Sequence, residues 1–214
     1  MKHLVISDLH LTKKFNQKKA NELIHLFTSV DRVIINGDFW ESYAITFDDF
    51  IKSRWNILFS VLKMKKTVYI PGNHDEEEEL DERVNLFSDT FTVRTELEYS
   101  KVKYFIEHGH KICGDEPKKN KFLRRVAYTN SLLELPVTFF SNGILQKIYS
   151  KADIEKLKSY SKKNLKDNEY LITGHTHIQE FDKDNKYINT GFNRFHYLQY
   201  ATIDDDGKIE LFKE

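Results

Sequence analysis

Five short β-like runs of this chain each end in a polar cluster: Asp8-Leu9-His10, Gly37-Asp38, Gly72-Asn73-His74-Asp75, His108-Gly109-His110 and Gly174-His175-Thr176-His177. Side chains of these types at the ends of successive strands require a sheet whose strand ends converge on one rim. In open α/β sheets the carboxyl ends of the strands are where sites assemble. The chain has nine histidines, and six of them (His10, His74, His108, His110, His175, His177) fall in these clusters.

Between the clusters the first half alternates strand and helix. Leu4–Ser7 is β-like, and Asn16–Ser29 has helical spacing at Ala20, Leu23, Ile24 and Phe27. Arg32–Asn36 predicts a second strand, Phe47–Met64 a second helix and Thr67–Ile70 a third strand, stopped by Pro71-Gly72. This βαβαβ order predicts a parallel sheet. Further strands are expected at Phe91–Thr95, Lys103–Glu107, Tyr170–Thr173, around Ile188, and at Tyr197–Ile203 and Ile209–Phe212, the last two joined by a hairpin at Asp205-Asp206-Gly207. Residues 111–168 read instead as helix: Phe122, Val126 and Leu133 share a face, Pro136 breaks it, and Phe139–Tyr149 and Lys151–Leu165 follow. We read this stretch as a helical cap inserted in a single domain spanning residues 1–214.

Charge divides along the same line. The whole chain is neutral, but residues 111–168 carry 13 basic and 6 acidic side chains, a net of +7, so the remainder carries −7. A basic cap on an acidic body would draw an anionic substrate, whereas a nucleic-acid partner is disfavoured because the body itself is acidic. A single cysteine, Cys113, fits a small buried residue in a reducing compartment and excludes a disulfide framework. No uninterrupted apolar run supplies a signal peptide or membrane span, which reads as cytoplasmic, with the basic cap a candidate for peripheral contact at the inner face of the membrane.

Asp-x-His and His-x-His in extended backbone point alternate residues the same way, so both members can reach one pocket. Carboxylates, imidazoles and a carboxamide without thiolate suit Mn²⁺, Fe or Zn²⁺. Seven such ligands (Asp8, His10, Asp38, Asn73, His108, His175, His177) exceed one ion's needs, and two ions sharing a carboxylate, roughly 3.5–4 Å apart, would use them all. Asp38, alone at its strand end, is the natural bridge.

In sequence and order, these five blocks resemble the calcineurin-like metallophosphoesterase superfamily. The resemblance implies a two-sheet β-sandwich flanked by helices. It implies one ion on Asp8, His10, Asp38 and His177, and a second on Asp38, Asn73, His108 and His175, with Mn²⁺ the expected metal. It puts His74 at a non-ligand histidine that donates to the phosphate or leaving oxygen, with Asp75 beside it to orient the ring. His108 aligns with the family's ligand in its block, although His110 is an alternative from the residues alone. The reaction implied is hydrolysis of a phosphoester, two ions lowering the pKa of a shared water and His74 acting as general acid.

Within the superfamily, the protein phosphatase branch places an arginine a few residues beyond the Gly-Asp block; Phe39-Trp40-Glu41-Ser42 has none. A phosphomonoester dianion needs that bidentate fork more than a diester does. Phe39-Trp40-Glu41, the insert after His110 and Asn189-Thr190-Gly191 are instead similar to the UDP-diacylglucosamine diphosphatases, in which the insert is a lid over an acyl chain. An arginine is usual there at position 74 and an aspartate at 110. On this reading the substrate is a nucleotide-lipid, and Lys119, Arg124, Arg125 and His110 bind it. Two alternatives stand beside it: a phosphodiesterase or nuclease, and a non-catalytic interaction scaffold that keeps the metal site.

Overall fold

A computed structural model describes residues 1–114, 144–194 and 197–214, with only the backbone described for 144–149. Two mixed sheets pack face to face. The first has the order β11-β10-β1-β2-β3-β4, and the second the order β5-β6-β7-β9-β8. In the first, β1 (His3–Ile6), β2 (Arg32–Asn36), β3 (Val68–Ile70) and β4 (Thr90–Phe91) run parallel. The β10 (Gln199–Ile203) and β11 (Ile209–Lys213) hairpin adds antiparallel to β1. The second sheet holds β5 (Thr95–Glu98), β6 (Lys103–Ile106), β7 (Glu169–Thr173), β8 (Glu180–Asp182) and β9 (Tyr187–Asn189), with β6, β7 and β9 parallel.

Strand alternation distributes the apolar residues. Val5, Ile34, Val68, Ile70, Ala201 and Ile203 meet Tyr104, Ile106, Ile172 and Ile188 between the sheets. Their neighbours Leu4, Ile6, Val33, Ile35 and Tyr69 point the other way, against α1 (Gln17–Thr28) and α3 (Phe59–Met64). On the outer face of the second sheet, Leu171 and Tyr187 pack on Cys113 of α4 (His110–Cys113) and Leu157 of α5 (Ile144–Asn164). The two sheets flanked by helices are thus the expected architecture.

Three expectations need correction in detail. Residues 47–64 are not one helix but α2 (Phe47–Lys52), a 3-10 turn (Arg54–Leu58) and α3. Ser53 is extended, with ψ 166°, and its hydroxyl caps Trp55 N–H, while the Trp55 indole donates to Thr12 O at 2.8 Å. Anchoring that indole turns the chain where apolar spacing alone predicts continuation. Phe91–Thr95 is likewise not one strand: β4 ends at Phe91 and β5 starts at Thr95, so the chain crosses between the sheets there. Helix α5 runs through Ser150, where two helices were expected. The other residues of the expected cap, Lys119, Phe122, Arg124, Arg125, Val126, Leu133, Pro136, Phe139 and Phe140, lie outside the described residues.

One buried charge in the body has a measurable consequence. Lys19 on α1 is 5% exposed and donates to Tyr197 O at 2.6 Å. Burial pushes its pKa down to about 8. Its ammonium is therefore penalised in the folded state below about pH 8, and the penalty fades as pH rises from there toward the unfolded value of ~10.4. Lys19→Met should stabilise the protein by about 1–2 kcal/mol at pH 7, and in urea titrations its advantage should shrink by pH 9.5. An advantage that is constant with pH would show that the ammonium carries no such penalty.

Candidate metal centre

The strand ends do converge. Asp8 follows β1, Asp38 follows β2, Asn73, His74 and Asp75 follow β3, and these belong to the first sheet; His108 follows β6 and His175 and His177 follow β7 in the second. The loops after β1 and β2 run side by side, with His10 N–H on Asp38 O at 2.9 Å and Leu11 N–H on Phe39 O at 3.1 Å. Trp40 and Phe39 are fully buried and anchor the second of these loops in the core. Asn193 ties the end of β1 to the last loop, donating to Ser7 O at 2.8 Å, while its own N–H reaches Asp8 O at 3.1 Å. Asn189 Nδ2 donates to Gly174 O (2.5 Å) and fixes the start of the His175 loop.

Five of the clustered residues have left-handed backbone: Asp8 (φ 55°), His10 (45°), Asp38 (54°), His175 (67°) and His177 (60°). Each such residue costs on the order of 1 kcal/mol or more, and strain of this kind collects where function overrides local preference. Gly37, at φ +84°, is required for a second reason: a Cβ there would overlap the His108 ring.

Asp8, His10, Asp38 and His177 place one ligand-type atom each within 4.8 Å of one another. His177 Nε2 lies 3.1 Å from Asp8 Oδ1, and His10 Nε2 lies 3.3 Å from His177 Nε2 and 3.6 Å from Asp38 Oδ2. On the other side of Asp38, His108 Nε2 approaches Oδ2 at 3.3 Å, and His175 Nδ1 is 3.1 Å from Asn73 Oδ1. His108 Nδ1 is engaged by Asn36 O at 2.8 Å, which leaves Nε2 buried and facing Asp38 in the cluster. Asp38 thus stands between the two sets, and it is His108, not His110, that meets it.

The donor set fits divalent ions on a physical ground as well. Asp8 and Asp38 are 0% and 1% exposed, and among the described residues no lysine or arginine pairs with either. Buried carboxylates need positive charge close by, and among the described residues it is histidines, themselves ligand-type groups, that stand next to these two. Burial would raise the Asp38 pKa, but His108, His74 and His10 outweigh it and hold the carboxyl well below its usual range. Reciprocally, burial would lower His108 and His74, but Asp38 drives the first to about 10, and Glu41 with Asp38 drives the second to about 9. The pocket concentrates negative potential.

His74 sits at the rim, its side chain 22% exposed, with its ring 4.7 Å from that of His10. Its backbone N–H donates to Asp38 Oδ1 at 2.9 Å. The expectation that Asp75 orients its ring is wrong. Asp75 is fully buried and accepts from the N–H groups of Asp38 (2.9 Å), Phe39 (2.7 Å) and Gly72 and from Tyr69 OH (2.7 Å). It fastens the Gly37-Asp38 loop to the Gly72-Asn73 loop, a positioning task. The residue on the His74 ring is Glu41, at 2.8 Å from Nδ1. In the sequence Glu41 stands out only within the Phe39-Trp40-Glu41 block and not as a partner of His74, because nothing in the spacing distinguishes a buried glutamate from a solvated one. His110 is 8% exposed, its ring 5.4 Å from His108 and 6.4 Å from His175, and its Nδ1 makes no hydrogen bond among the described residues. Burial, with His108 beside it, pushes its pKa down to about 3.

Residues 1–196 match the calcineurin-like phosphoesterase superfamily domain. The chain belongs to that superfamily. Among solved structures, Yfce, a phosphoesterase from E. coli, is similar over 99% of this chain and 98% of its own at 16% identity, with a TM-score of 0.52. A single mutant of Vps29 from Entamoeba histolytica is similar over 100% and 98% at 15% identity, with a TM-score of 0.50. A novel archaeal phosphodiesterase matches over 100% of both chains at 18% identity, with a TM-score of 0.49. At these identities the likeness is one of fold. No curated relative matches by sequence. Among the described residues no helix is long and apolar enough to cross a membrane.

Proposed function

We propose that this superfamily member is a metal-dependent hydrolase of phosphodiester or pyrophosphate bonds that holds two divalent ions. The observation that carries the reading is the group Asp8, His10, Asp38 and His177, whose buried carboxylates have no lysine or arginine partner among the described residues. Asp38, Asn73, His108 and His175 are proposed to hold the second ion, with Mn²⁺ favoured and Fe or Zn²⁺ as alternatives. Bound there, the ions would neutralise phosphoryl oxygens and lower the pKa of a shared water.

The chain's own groups do the rest. Glu41 engages His74 at Nδ1, so Nε2 is the nitrogen left to donate a proton to the departing oxygen. His110, a neutral imidazole beside His108, is proposed as a substrate contact together with Lys119, Arg124 and Arg125. Lack of an arginine at positions 39–42 favours a diester or pyrophosphate over a monoester dianion. The narrower proposal is a nucleotide-lipid diphosphatase of the UDP-diacylglucosamine type, in which the insert at 111–168 caps the site and touches the membrane surface. Two observations support it: the +7 charge of the insert, and Ser150 Oγ donating to Thr176 O at 2.9 Å, between His175 and His177.

A substrate panel tests both levels. Chelation should abolish turnover and Mn²⁺ should restore it, with two ions per chain by elemental analysis. Bis-aryl phosphodiester and pyrophosphate substrates should be cleaved faster than a phosphomonoester or single-stranded DNA. Cleavage of a nucleotide-lipid pyrophosphate well above its deacylated analogue is expected from the narrower proposal; equal rates would remove it and leave the wider one. Metal binding without turnover of any substrate would favour the scaffold alternative.

A further inference from the structure

Glu41 is 1% exposed, and its two carboxylate oxygens are divided between two histidines of different purpose. Oε2 lies 3.1 Å from His10 Nδ1, and Oε1 lies 2.8 Å from His74 Nδ1, with Tyr43 N–H on Oε1 at 3.3 Å. The carboxylate is held there by the backbone. Glu41 N–H donates to Leu11 O at 3.0 Å beside the Leu11–Trp40 bridge, and Ser42 N–H donates to His74 O at 2.8 Å. Tyr43 closes over the His74 ring, centroids 4.5 Å apart.

An ionised carboxylate only accepts hydrogen bonds, so each ring must present Nδ1–H to it. That fixes both imidazoles. In His10 the proton on Nδ1 leaves the Nε2 lone pair facing Asp8, Asp38 and His177, the form a metal ligand requires. In His74 the same bond sets the ring plane and directs Nε2 away from Glu41. We propose that Glu41 is a positioning residue shared by the first metal site and the proton donor, so that one side chain sets the tautomer of His10 and the orientation of His74 together. The assignment rests on the metal and His74 roles proposed above.

Glu41→Gln is the diagnostic substitution, because an amide has one accepting and one donating end. It can accept from one Nδ1–H but must donate to the other ring, which moves that ring's proton to Nε2. If His10 is the ring that changes, Nε2–H points into the metal cluster; if His74 changes, it keeps an Nε2–H and loses its fixed orientation. Long-range ¹H–¹⁵N spectra of the metal-free protein, recorded above pH 9 where the His74 ring is neutral, read the His10 and His74 tautomers directly, and Mn²⁺ titration reads affinity. The expected result for Glu41→Gln is a tautomer change at one of the two rings. A change at His10 should weaken Mn²⁺ binding about 10–100-fold, the range for outer partners of metal ligands, and a change at His74 should steepen the dependence of kcat on leaving-group pKa. Glu41→Asp, which keeps the charge but is one methylene shorter, should restore one histidine and not both. Unchanged tautomers, Mn²⁺ affinity and leaving-group dependence in a folded Glu41→Gln protein would overturn the proposal. If Glu41→Gln does not fold, Glu41→Asp decides, since wild-type behaviour at both histidines would equally overturn it. The spectra need no substrate, so a failure of the hydrolase reading would leave the His10 tautomer result standing.

Discussion

Asp38→Asn should strip the protein of bound metal and of activity in a single step, with turnover falling on the order of 10³-fold or more, beyond the 10–100-fold expected for an outer partner of a metal ligand. Asp38 Oδ2 is the atom approached from both sides, by His10 Nε2 at 3.6 Å and His108 Nε2 at 3.3 Å. The asparagine side chain keeps the shape and one acceptor but removes the negative charge that would offset the two proposed cations. Its amide must also turn one donor toward a nitrogen or an ion. Elemental analysis after dialysis against Mn²⁺ should find less than one ion per chain, against two in the wild type. Retention of both ions with lost activity would move Asp38 from metal holding to chemistry.

The opposite separation is expected of His74→Ala. It should keep both ions and lose about 10²–10³ in kcat on substrates whose leaving alkoxide needs a proton, within the usual range for a general acid. With an aryl leaving group of low pKa the loss should be under about tenfold, because little proton transfer is needed in the transition state. The geometry underlying this is the rim position of His74, partly exposed and engaged at Nδ1 by Glu41 rather than by Asp8 or Asp38. Release of an ion from His74→Ala, or an equal loss on both substrate types, would contradict the donor role.

The parts of this protein that follow periodic rules are legible in its sequence. Arg32–Asn36 is a strand with the expected limits, and α1 lies within one residue of its expected ends, because alternation and 3.6-residue spacing report burial directly. The convergence of the strand-end clusters is legible from strand direction, but the extended backbone expected within Asp8-Leu9-His10 and His175-Thr176-His177 is not what brings their members together, since Asp8, His10, His175 and His177 are all left-handed. What was hidden depends on contacts between distant side chains. The break at Ser53 follows from Trp55 reaching Thr12. The exchange of Asp75 for Glu41 on the His74 ring follows from Asp75 being drawn inward by Tyr69 and three N–H groups. Neither event leaves a mark in local spacing, and sequence adjacency to His74 made Asp75 the natural but mistaken partner.

The division of the ligand set between the two sheets bears on the kinetics of folding. His10 and His177, 167 residues apart in the chain, come within 3.3 Å of each other, and Asp8 and Asp38 are met across the same gap by His177 and His108. Contacts of such long sequence separation carry a large loop-closure cost and form late. The centre can assemble only after the two sheets have docked, so ions bound there would stabilise the native state and contribute little to the transition state. Metal should therefore act as a rivet at one end of the sandwich, slowing unfolding far more than it speeds refolding. The holoprotein would then owe its lifetime against proteolysis and heat to a bond between sheets rather than to the apolar layer that first brings them together.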